Sequence, residues 1–207
     1  MSSTVFDSEL FRDMFGTAEM RAIFSDAGYL ARCLEVEAAL ALAQAREGVI
    51  PDAAAREIAA RADIACLDMA RLKRETEIVG YPILPLVKQL AAACAGEAGG
   101  YVHWGATTQD IMDTAVVVQL RAAFVLLESD LEEILASLET LARRFRDTPM
   151  AGRTHLQQAL PVTFGYKVAV WRSPLARQRE RLAQLRPRVL VGQFGGAAGT
   201  LASLGEK

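Results

Sequence analysis

The sequence predicts an all-α fold: a small N-terminal helical domain followed by the first long helices of a central helix bundle. Three observations in the 207 residues support this prediction. Helix-forming residues dominate, and the alternation typical of strands is almost absent. Short helical segments in the first half are separated by Gly and Pro, and apolar residues recur at helical spacing after residue 110. We therefore predict two domains, 1–111 and 112–207.

The first half contains the signals of several short helices. Its clearest helical segment is rich in Ala, Leu, Glu and Arg and stops at Gly48, with Pro51 just beyond. Gly followed by Pro is the usual order at the end of a helix. The helices predicted here are 25–47, 52–63, 68–79 and a fourth that runs from Pro82 to about Gly96.

A long helix is predicted after residue 110. Apolar residues from Val117 to Phe145 follow a spacing that alternates between three and four, which is the pattern of a long helix packed against other helices. A helix from about 112 to 147 would be roughly 50 Å long, and Pro149 should end it.

A second long helix is predicted to begin at Pro161, a favourable first helical residue. Pro174 should bend this helix, and Pro187 should end it. Two helices of this length cannot bury their apolar seams in a hairpin alone. We therefore expect the chain either to oligomerise or to be the front part of a longer protein.

Composition and charge exclude several classes of protein. A net charge of -2 and a hydrophobic fraction of 52% argue against a disordered chain, and a pI of about 5.8 argues against a nucleic-acid-binding protein. The three cysteines (Cys33, Cys66 and Cys94) form no Cys-x-x-Cys pair, so neither a disulfide framework nor a metal site is predicted. No secretion signal or membrane-spanning stretch is recognised, so we expect a cytoplasmic protein.

The chain has two histidines, and both lie in short polar segments beside the predicted long helices. His103 belongs to His-Trp-Gly-Ala-Thr-Thr-Gln-Asp (103–110). His155 belongs to Gly-Arg-Thr-His-Leu-Gln-Gln-Ala-Leu-Pro (152–161). Histidine is the side chain best suited to exchange protons near neutral pH.

The first polar segment also contains groups suited to binding an anion. Thr107, Thr108 and Gln109, with free backbone N–H groups at the start of a helix, would form a cradle for a carboxylate. A simple helix cap and an ordinary loop histidine are the alternative interpretations of the two segments. From the residues alone, the prediction is a helical protein with a candidate anion site.

Four segments, in order and spacing, resemble the fumarase/aspartase superfamily: Phe24-Ser-Asp, His103 to Thr114, Gly152 to Gly165 and Gln193 to Leu201. Within the superfamily, residues 18–26, 105–114 and 190–202 are most similar to the 3-carboxy-cis,cis-muconate cycloisomerase branch. Adenylosuccinate lyases usually carry an Arg-Tyr pair near the N-terminus that holds the nucleotide phosphate. Met14-Phe15 stands at the corresponding place here.

The resemblance implies an enzyme that makes or breaks a bond beta to a carboxylate by general acid–base chemistry. The substrate would be a small polycarboxylate, and the cycloisomerase branch implies a role in aromatic (protocatechuate) degradation. The alternative activities are adenylosuccinate lyase and other fumarate-releasing lyases. The resemblance assigns catalytic roles to His155 and His103 and substrate binding to Thr107, Thr108, Gln109, Arg153, Thr154 and Gln157.

The resemblance also implies an assembly. Members of the superfamily are homotetramers that pair through the long helices and build each site from three subunits. No metal ion, organic cofactor, nucleic acid or membrane partner is implied. Two non-catalytic alternatives remain from the residues: a helical oligomerisation module and a relative that binds a dicarboxylate without converting it.

The chain departs from the superfamily pattern in two respects. Some muconate cycloisomerases have Trp where this chain has His155, so the substrate stays open. Members are about twice as long, and their third signature, Ser-Ser-x-Met-Pro-x-Lys-x-Asn, has no counterpart here. That signature carries the serine proposed as the general base. The chain therefore resembles the N-terminal half of such an enzyme, and we expect it to be inactive alone.

Overall fold

The computed structural model describes residues 4–205, apart from the side chain of Asp7. The outermost residues of both predicted domains, 1–3 and 206–207, therefore lie outside the described part. Within it, the chain is mainly helical, as predicted, with one β-hairpin and several short 3-10 turns. The elements are α1 (Ala18–Ile23), α2 (Asp26–Arg46), α3 (Asp52–Arg61), α4 (Met69–Val79), α5 (Ile83–Ala93), α6 (Thr108–Arg144), β1 (Pro149–Thr154), β2 (Gln157–Thr163) and α7 (Phe164–Val189).

The chain forms two compact units. The first contains the residues up to 121 together with those from 190 onward, and the second contains residues 122–189. Helix α6 contributes residues to both units. The predicted boundary between residues 111 and 112 separates domains as they would occur in a full-length superfamily member. The compact units of this chain do not test that boundary, which stays a prediction.

The core of the first unit is built on α2, α3 and α5. Helix α2 packs along α3, and α5 contacts both α3 and α4. Ser25 caps α2 by accepting a hydrogen bond from the Gly28 N–H, and Gly80 ends α4 with the left-handed backbone that glycine tolerates best. The most deeply buried apolar side chains are Cys33, Leu34, Ala55, Ile58, Ile83, Leu86, Leu90, Ile111 and Ala115.

The second unit contains most of the long helix α6 and all of α7. Helix α6 has 37 residues and is therefore about 55 Å long; it begins four residues before the predicted start. Inside the second unit the two helices run antiparallel. Three ion pairs show this direction, because the residue number of the Arg on α7 falls as that of the Glu on α6 rises. These pairs are Glu128–Arg186, Glu132–Arg179 and Glu139–Arg172.

The all-α prediction is wrong at residues 149–163, where β1 and β2 form an antiparallel hairpin. The turn consists of His155 and Leu156, whose φ angles of 44° and 62° suit the primed two-residue turns of hairpins. Two-stranded hairpins have only edge strands, so Pro149 and Pro161 disturb no inner ladder. The two prolines were interpreted as helix boundaries, and for this reason the strands were not predicted.

The predicted limits of the second long helix are also corrected. Pro161 lies in β2, and the helix begins at Phe164 because the Thr163 hydroxyl caps it, accepting a hydrogen bond from the Tyr166 N–H at 3.1 Å. Pro174 and Pro187 both lie inside α7, which ends at Val189, two residues beyond the predicted stop.

Among residues 4–205, no helix is both long enough and apolar enough to cross a membrane.

Candidate functional site

His103 lies in a turn between α5 and α6 and faces a buried carboxylate. Its backbone is left-handed, with φ at 63°. The Nδ1 atom of its ring lies 2.6 Å from Oε1 of Glu37, which projects from α2. The Glu37 side chain is fully buried, whereas the His103 side chain is 20% exposed. The pair therefore has one buried end and one end that solvent or a ligand can reach.

The carboxylate of Glu37 influences the buried thiol next to it on α2. Burial, with a smaller contribution from the negative charge of Glu37, raises the pKa of the Cys33 thiol to about 12. Burial also raises the pKa of Tyr29, which forms a side-chain hydrogen bond with Cys33. The thiol and the phenol therefore stay protonated near neutral pH.

The residues predicted to form a carboxylate cradle, Thr107, Thr108 and Gln109, lie at the N-terminus of α6. The Thr107 N–H, however, donates a hydrogen bond to Oδ2 of Asp110 at 3.0 Å, so one of the three amides expected to be free is engaged. The amides of Thr108 and Gln109 precede the first hydrogen bonds within the helix. The threonine side chains are half-buried and that of Gln109 is exposed, with its amide group donating to Asp113.

Asp110 was not singled out in the sequence, yet its carboxylate organises this end of α6. It is 2% exposed, and its two oxygens accept hydrogen bonds from the N–H groups of Gly195 at 2.9 Å and Gly196 at 3.0 Å. One turn further along α6, the hydroxyl of Thr114 accepts from the Gln193 N–H at 3.0 Å. The glycine-rich segment 193–196 is thus held against the first two turns of the helix.

The second group of predicted site residues lies on the β-hairpin of the second unit. Arg153 and Thr154 end β1, His155 occupies the turn, and Gln157 begins β2 directly opposite Thr154. All four side chains are exposed. Within the described residues none of them has a side-chain hydrogen-bond partner. The hairpin therefore presents an imidazole, a guanidinium, a hydroxyl and an amide together at one tip.

A cleft of about 560 Å³ lies along the same hairpin, within the second unit. Its walls come from both strands and from the first turns of α7, and they are largely apolar. Lys167 lies over the ring of Trp171, with its Nζ 5.1 Å from the ring centroid. Two of its lining residues, Arg153 and Thr154, are among those predicted to bind substrate, whereas the α7 residues of its wall were not predicted.

The structure therefore collects the predicted residues into two groups, one in each compact unit. His103, Thr107, Thr108 and Gln109 share a short stretch of the first unit; Arg153, Thr154, His155 and Gln157 share the hairpin of the second. Glu37 and Asp110 are additions that sequence reasoning missed. The partner of Glu37 lies 66 residues away along the chain, and two of the three donors to Asp110 lie 85 and 86 residues away, so local spacing could not reveal these contacts. The third donor to Asp110, the Thr107 N–H, is local.

Among the described residues, no group of three or more His, Cys, Asp or Glu side chains is arranged to hold a metal ion.

The chain combines a helical first unit, two long helices and two short segments that each carry a histidine. A model of the protein family described as Lyase matches residues 15–207. The chain belongs to this lyase family, and the resemblance to the fumarase/aspartase superfamily is confirmed.

Individual relatives place this chain among proteins of different named activities. It is 49% identical to trans-aconitate decarboxylase 1 of Mycosarcoma maydis, over 94% of this chain and 40% of that protein. It is 50% identical to 3-carboxy-cis,cis-muconate cycloisomerase of Pseudomonas aeruginosa, over 99% of this chain and 45% of that protein. The chain thus spans less than half the length of these relatives.

A solved structure agrees with the fold. The crystal structure of fumarate lyase from Mesorhizobium sp. BNC1 matches 93% of this chain with a TM-score of 0.88 and 59% sequence identity. The match covers 45% of that protein. The backbone fold of this chain is therefore similar to that of the matching part of the fumarate lyase.

Proposed function

We propose that this chain belongs to an enzyme of the 3-carboxy-cis,cis-muconate cycloisomerase type, which acts beta to a carboxylate of a polycarboxylate substrate in aromatic degradation. The observation that carries the proposal is the 50% identity to the Pseudomonas aeruginosa cycloisomerase along 99% of the chain. Both histidine segments lie within this stretch.

The N-terminus of α6 is the proposed site for a substrate carboxylate. A long helix presents partial positive charge and unused N–H groups at this end. Here the amides of Thr108 and Gln109 are joined by the hydroxyls of Thr107 and Thr108, which have no side-chain partner among the described residues. Such a set of neutral donors suits the binding of an anion, and the neighbouring Asp110 carboxylate is already engaged by three backbone N–H groups.

The proposed chemistry is general acid–base catalysis through a stabilised carbanion. A base removes the proton alpha to the carboxylate, and the resulting charge spreads into that carboxylate. His155, on the exposed hairpin tip, is the proposed general acid or the group that orients it. Arg153, Thr154 and Gln157 are proposed to bind the substrate beside it. Donors that converge on the developing charge would contribute much of the rate acceleration.

His103 is proposed to contact the substrate or to orient it. The base itself is expected on the serine-bearing signature that has no counterpart in these 207 residues. We therefore propose that the chain alone is inactive. The active form would be a homotetramer built through the long helices, with each site assembled from several subunits.

A second candidate activity is that of adenylosuccinate lyase or another fumarate-releasing lyase. The presence of histidine at position 155, where some muconate cycloisomerases carry tryptophan, favours it. The absence of an Arg-Tyr pair at Met14-Phe15 disfavours the nucleotide substrate.

A third candidate is a non-catalytic oligomerisation module. It is favoured by apolar side chains of α6 that are exposed within the second unit, such as Val125 at 57% and Ile134 at 47%. Large exposed apolar surfaces usually mark an interaction site.

The test is a chimera in which this chain replaces the matching 45% of the Pseudomonas aeruginosa cycloisomerase. We expect the chimera to be a tetramer by light scattering and to consume 3-carboxy-cis,cis-muconate, as followed by ultraviolet absorbance. If the chimera converts adenylosuccinate and not 3-carboxy-cis,cis-muconate, the second candidate activity replaces the first. A folded tetramer that converts neither compound would contradict both catalytic proposals and leave the oligomerisation module.

A further inference from the structure

The buried carboxylate of Glu37 has one hydrogen-bond partner among the described residues, the His103 ring. Its Oε1 atom lies 2.6 Å from Nδ1, and its Oε2 atom is buried without a partner in the described part of the chain. An ionised carboxylate is costly to bury unless a donor satisfies it. His103 is the donor available, so the two side chains depend on each other.

This dependence determines the position of the ring proton. A carboxylate can only accept hydrogen bonds, so a charged Glu37 requires a proton on Nδ1 of His103. An imidazole is ordinarily a stronger base than a carboxylate, and the proton between them therefore belongs to Nδ1. The neutral ring then has its free electron pair on Nε2, the nitrogen that Glu37 does not contact.

Helix α2 holds this turn at a second point. Gln44, seven residues beyond Glu37 and therefore on the same face of α2, donates from Nε2 to the backbone oxygen of Trp104 at 2.6 Å. His103 itself keeps a left-handed backbone with φ at 63°, a conformation that costs a non-glycine residue free energy unless its surroundings hold it. Two hydrogen bonds from buried polar residues of one helix hold this turn in place.

We propose that Glu37 is a positioning residue: it fixes neutral His103 in the Nδ1–H tautomer, so that Nε2 is the nitrogen presented to the substrate. This inference rests on the proposed function in one respect: the proposed function supplies the substrate as the group that Nε2 contacts. In the neutral ring Nε2 accepts a proton or hydrogen bond. In the protonated ring it donates to a substrate carboxylate while Glu37 balances the added charge.

The tautomer can be measured on the 207-residue chain, because the chain has two histidines in all. Long-range ¹H–¹⁵N correlation spectra of histidine-labelled protein separate protonated from unprotonated ring nitrogens. His155→Ala assigns the two rings, and the exposed His155 ring in the unaltered chain serves as the internal reference. We expect His103 to show a protonated Nδ1 and an unprotonated Nε2. If the neutral His103 ring of the unaltered chain is protonated on Nε2 instead, the proposal is refuted, and no Glu37 variant is needed to show it.

Three variants separate positioning from packing. Glu37→Gln keeps an acceptor oxygen of the same reach, so the Nδ1–H tautomer should persist. Glu37→Leu removes the acceptor, and the tautomer populations should shift to those of His155. Glu35→Gln, two residues away on the same helix and 40% exposed, is the matched control and should change neither ring. A Glu37→Leu protein that folds and keeps His103 in the Nδ1–H form would contradict the proposal.

Activity then tests the catalytic consequence separately. In the cycloisomerase chimera, Glu37→Leu should lower kcat by about 10-fold or more, as loss of a group that orients a functional histidine does, whereas Glu35→Gln should leave kcat unchanged. An inactive chimera whose His103 still shows the Nδ1–H tautomer would refute the proposed function and keep the positioning role. An active chimera whose His103 shows the Nε2–H tautomer would support the proposed function and refute the positioning role of Glu37.

Discussion

The carboxylate of Asp110 accepts a hydrogen bond from the Gly196 N–H at 3.0 Å, which joins two residues that are 86 positions apart in the chain. The same carboxylate accepts from the N–H groups of Gly195 and Thr107. Three backbone donors therefore converge on one buried side chain. The N-terminal turn of α6 and the glycine-rich segment are a single structural feature of the first unit.

The first prediction concerns this carboxylate. Asp110→Ala leaves three backbone N–H groups without their acceptor in a buried place, so we expect a loss of about 2–4 kcal/mol in the free energy of unfolding. Urea denaturation followed by circular dichroism measures the loss. Hydrogen exchange should also show faster exchange at 192–201.

The matched control is Asp113→Ala, one turn further along α6. The Asp113 carboxylate accepts from the exposed side chain of Gln109, so its removal should change stability by no more than about 0.5 kcal/mol. Equal effects of the two substitutions would show that the contacts of Asp110 with the glycine-rich segment contribute little.

The second prediction concerns the close contact between α7 and the end of α6. A Cβ atom on Gly165 would lie 2.6 Å from the backbone oxygen of Ala142 and 2.6 Å from Cα of Arg146. Gly165→Ala should therefore destabilise the second unit by about 1–3 kcal/mol, although alanine is ordinarily the better helix former.

Thermal unfolding compares this variant with Gly192→Ala. A Cβ atom on Gly192 would meet Cγ2 of Thr114 at 3.7 Å, an ordinary van der Waals distance, so this control should unfold at nearly the temperature of the unaltered protein. An unchanged unfolding temperature for Gly165→Ala would mean that the two helices can move apart at little cost.

The sequence predicted the helices well because their signals are local. Apolar spacing along α6 and the Gly48–Pro51 stop after α2 depend on residues a few positions apart. The hairpin was not predicted from the sequence because its turn, His155-Leu156, has a left-handed backbone but lacks the Asn-Gly or Gly residues that usually indicate such a turn. The prolines in its strands also suggested helix boundaries.

The candidate site was predictable in part, for a related reason. The histidines and threonines could be selected by their chemistry and by the family resemblance. Glu37 could not, because a glutamate in an Ala- and Leu-rich helix resembles an ordinary exposed residue. Its burial follows from the packing of the turn that carries His103, 66 residues away, and only the three-dimensional structure contains that information.

The third prediction concerns cysteine reactivity and its pH dependence. Burial raises the pKa of Cys33 from 9.0 to about 12, so the folded state disfavours the thiolate. The stability contributed by the neutral thiol is complete below about pH 9 and is lost as the pH rises toward 12. At pH 8.5 we expect iodoacetamide to modify Cys33 on the order of 10²-fold more slowly than the half-buried Cys66 and Cys94.

Peptide mass spectrometry after timed labelling measures the three rates in one sample. The urea-unfolded chain is the control, and there all three cysteines should react at similar rates. Rapid labelling of Cys33 in the folded protein would indicate that the face of α2 around Glu37 opens to solvent, and this would also weaken the case for a fixed His103 ring.

The last prediction tests the hairpin as the source of the general acid. In the cycloisomerase chimera, His155→Ala should lower kcat by roughly 10²-fold or more, the usual contribution of a positioned acid–base group. Gln158→Ala is the matched control, because Gln158 is also exposed on the same hairpin and carries no proposed role. Circular dichroism should show both variants folded, since neither side chain is buried. A kcat that His155→Ala leaves unchanged would remove this histidine from the mechanism, and the acid would then have to come from another part of the assembled enzyme.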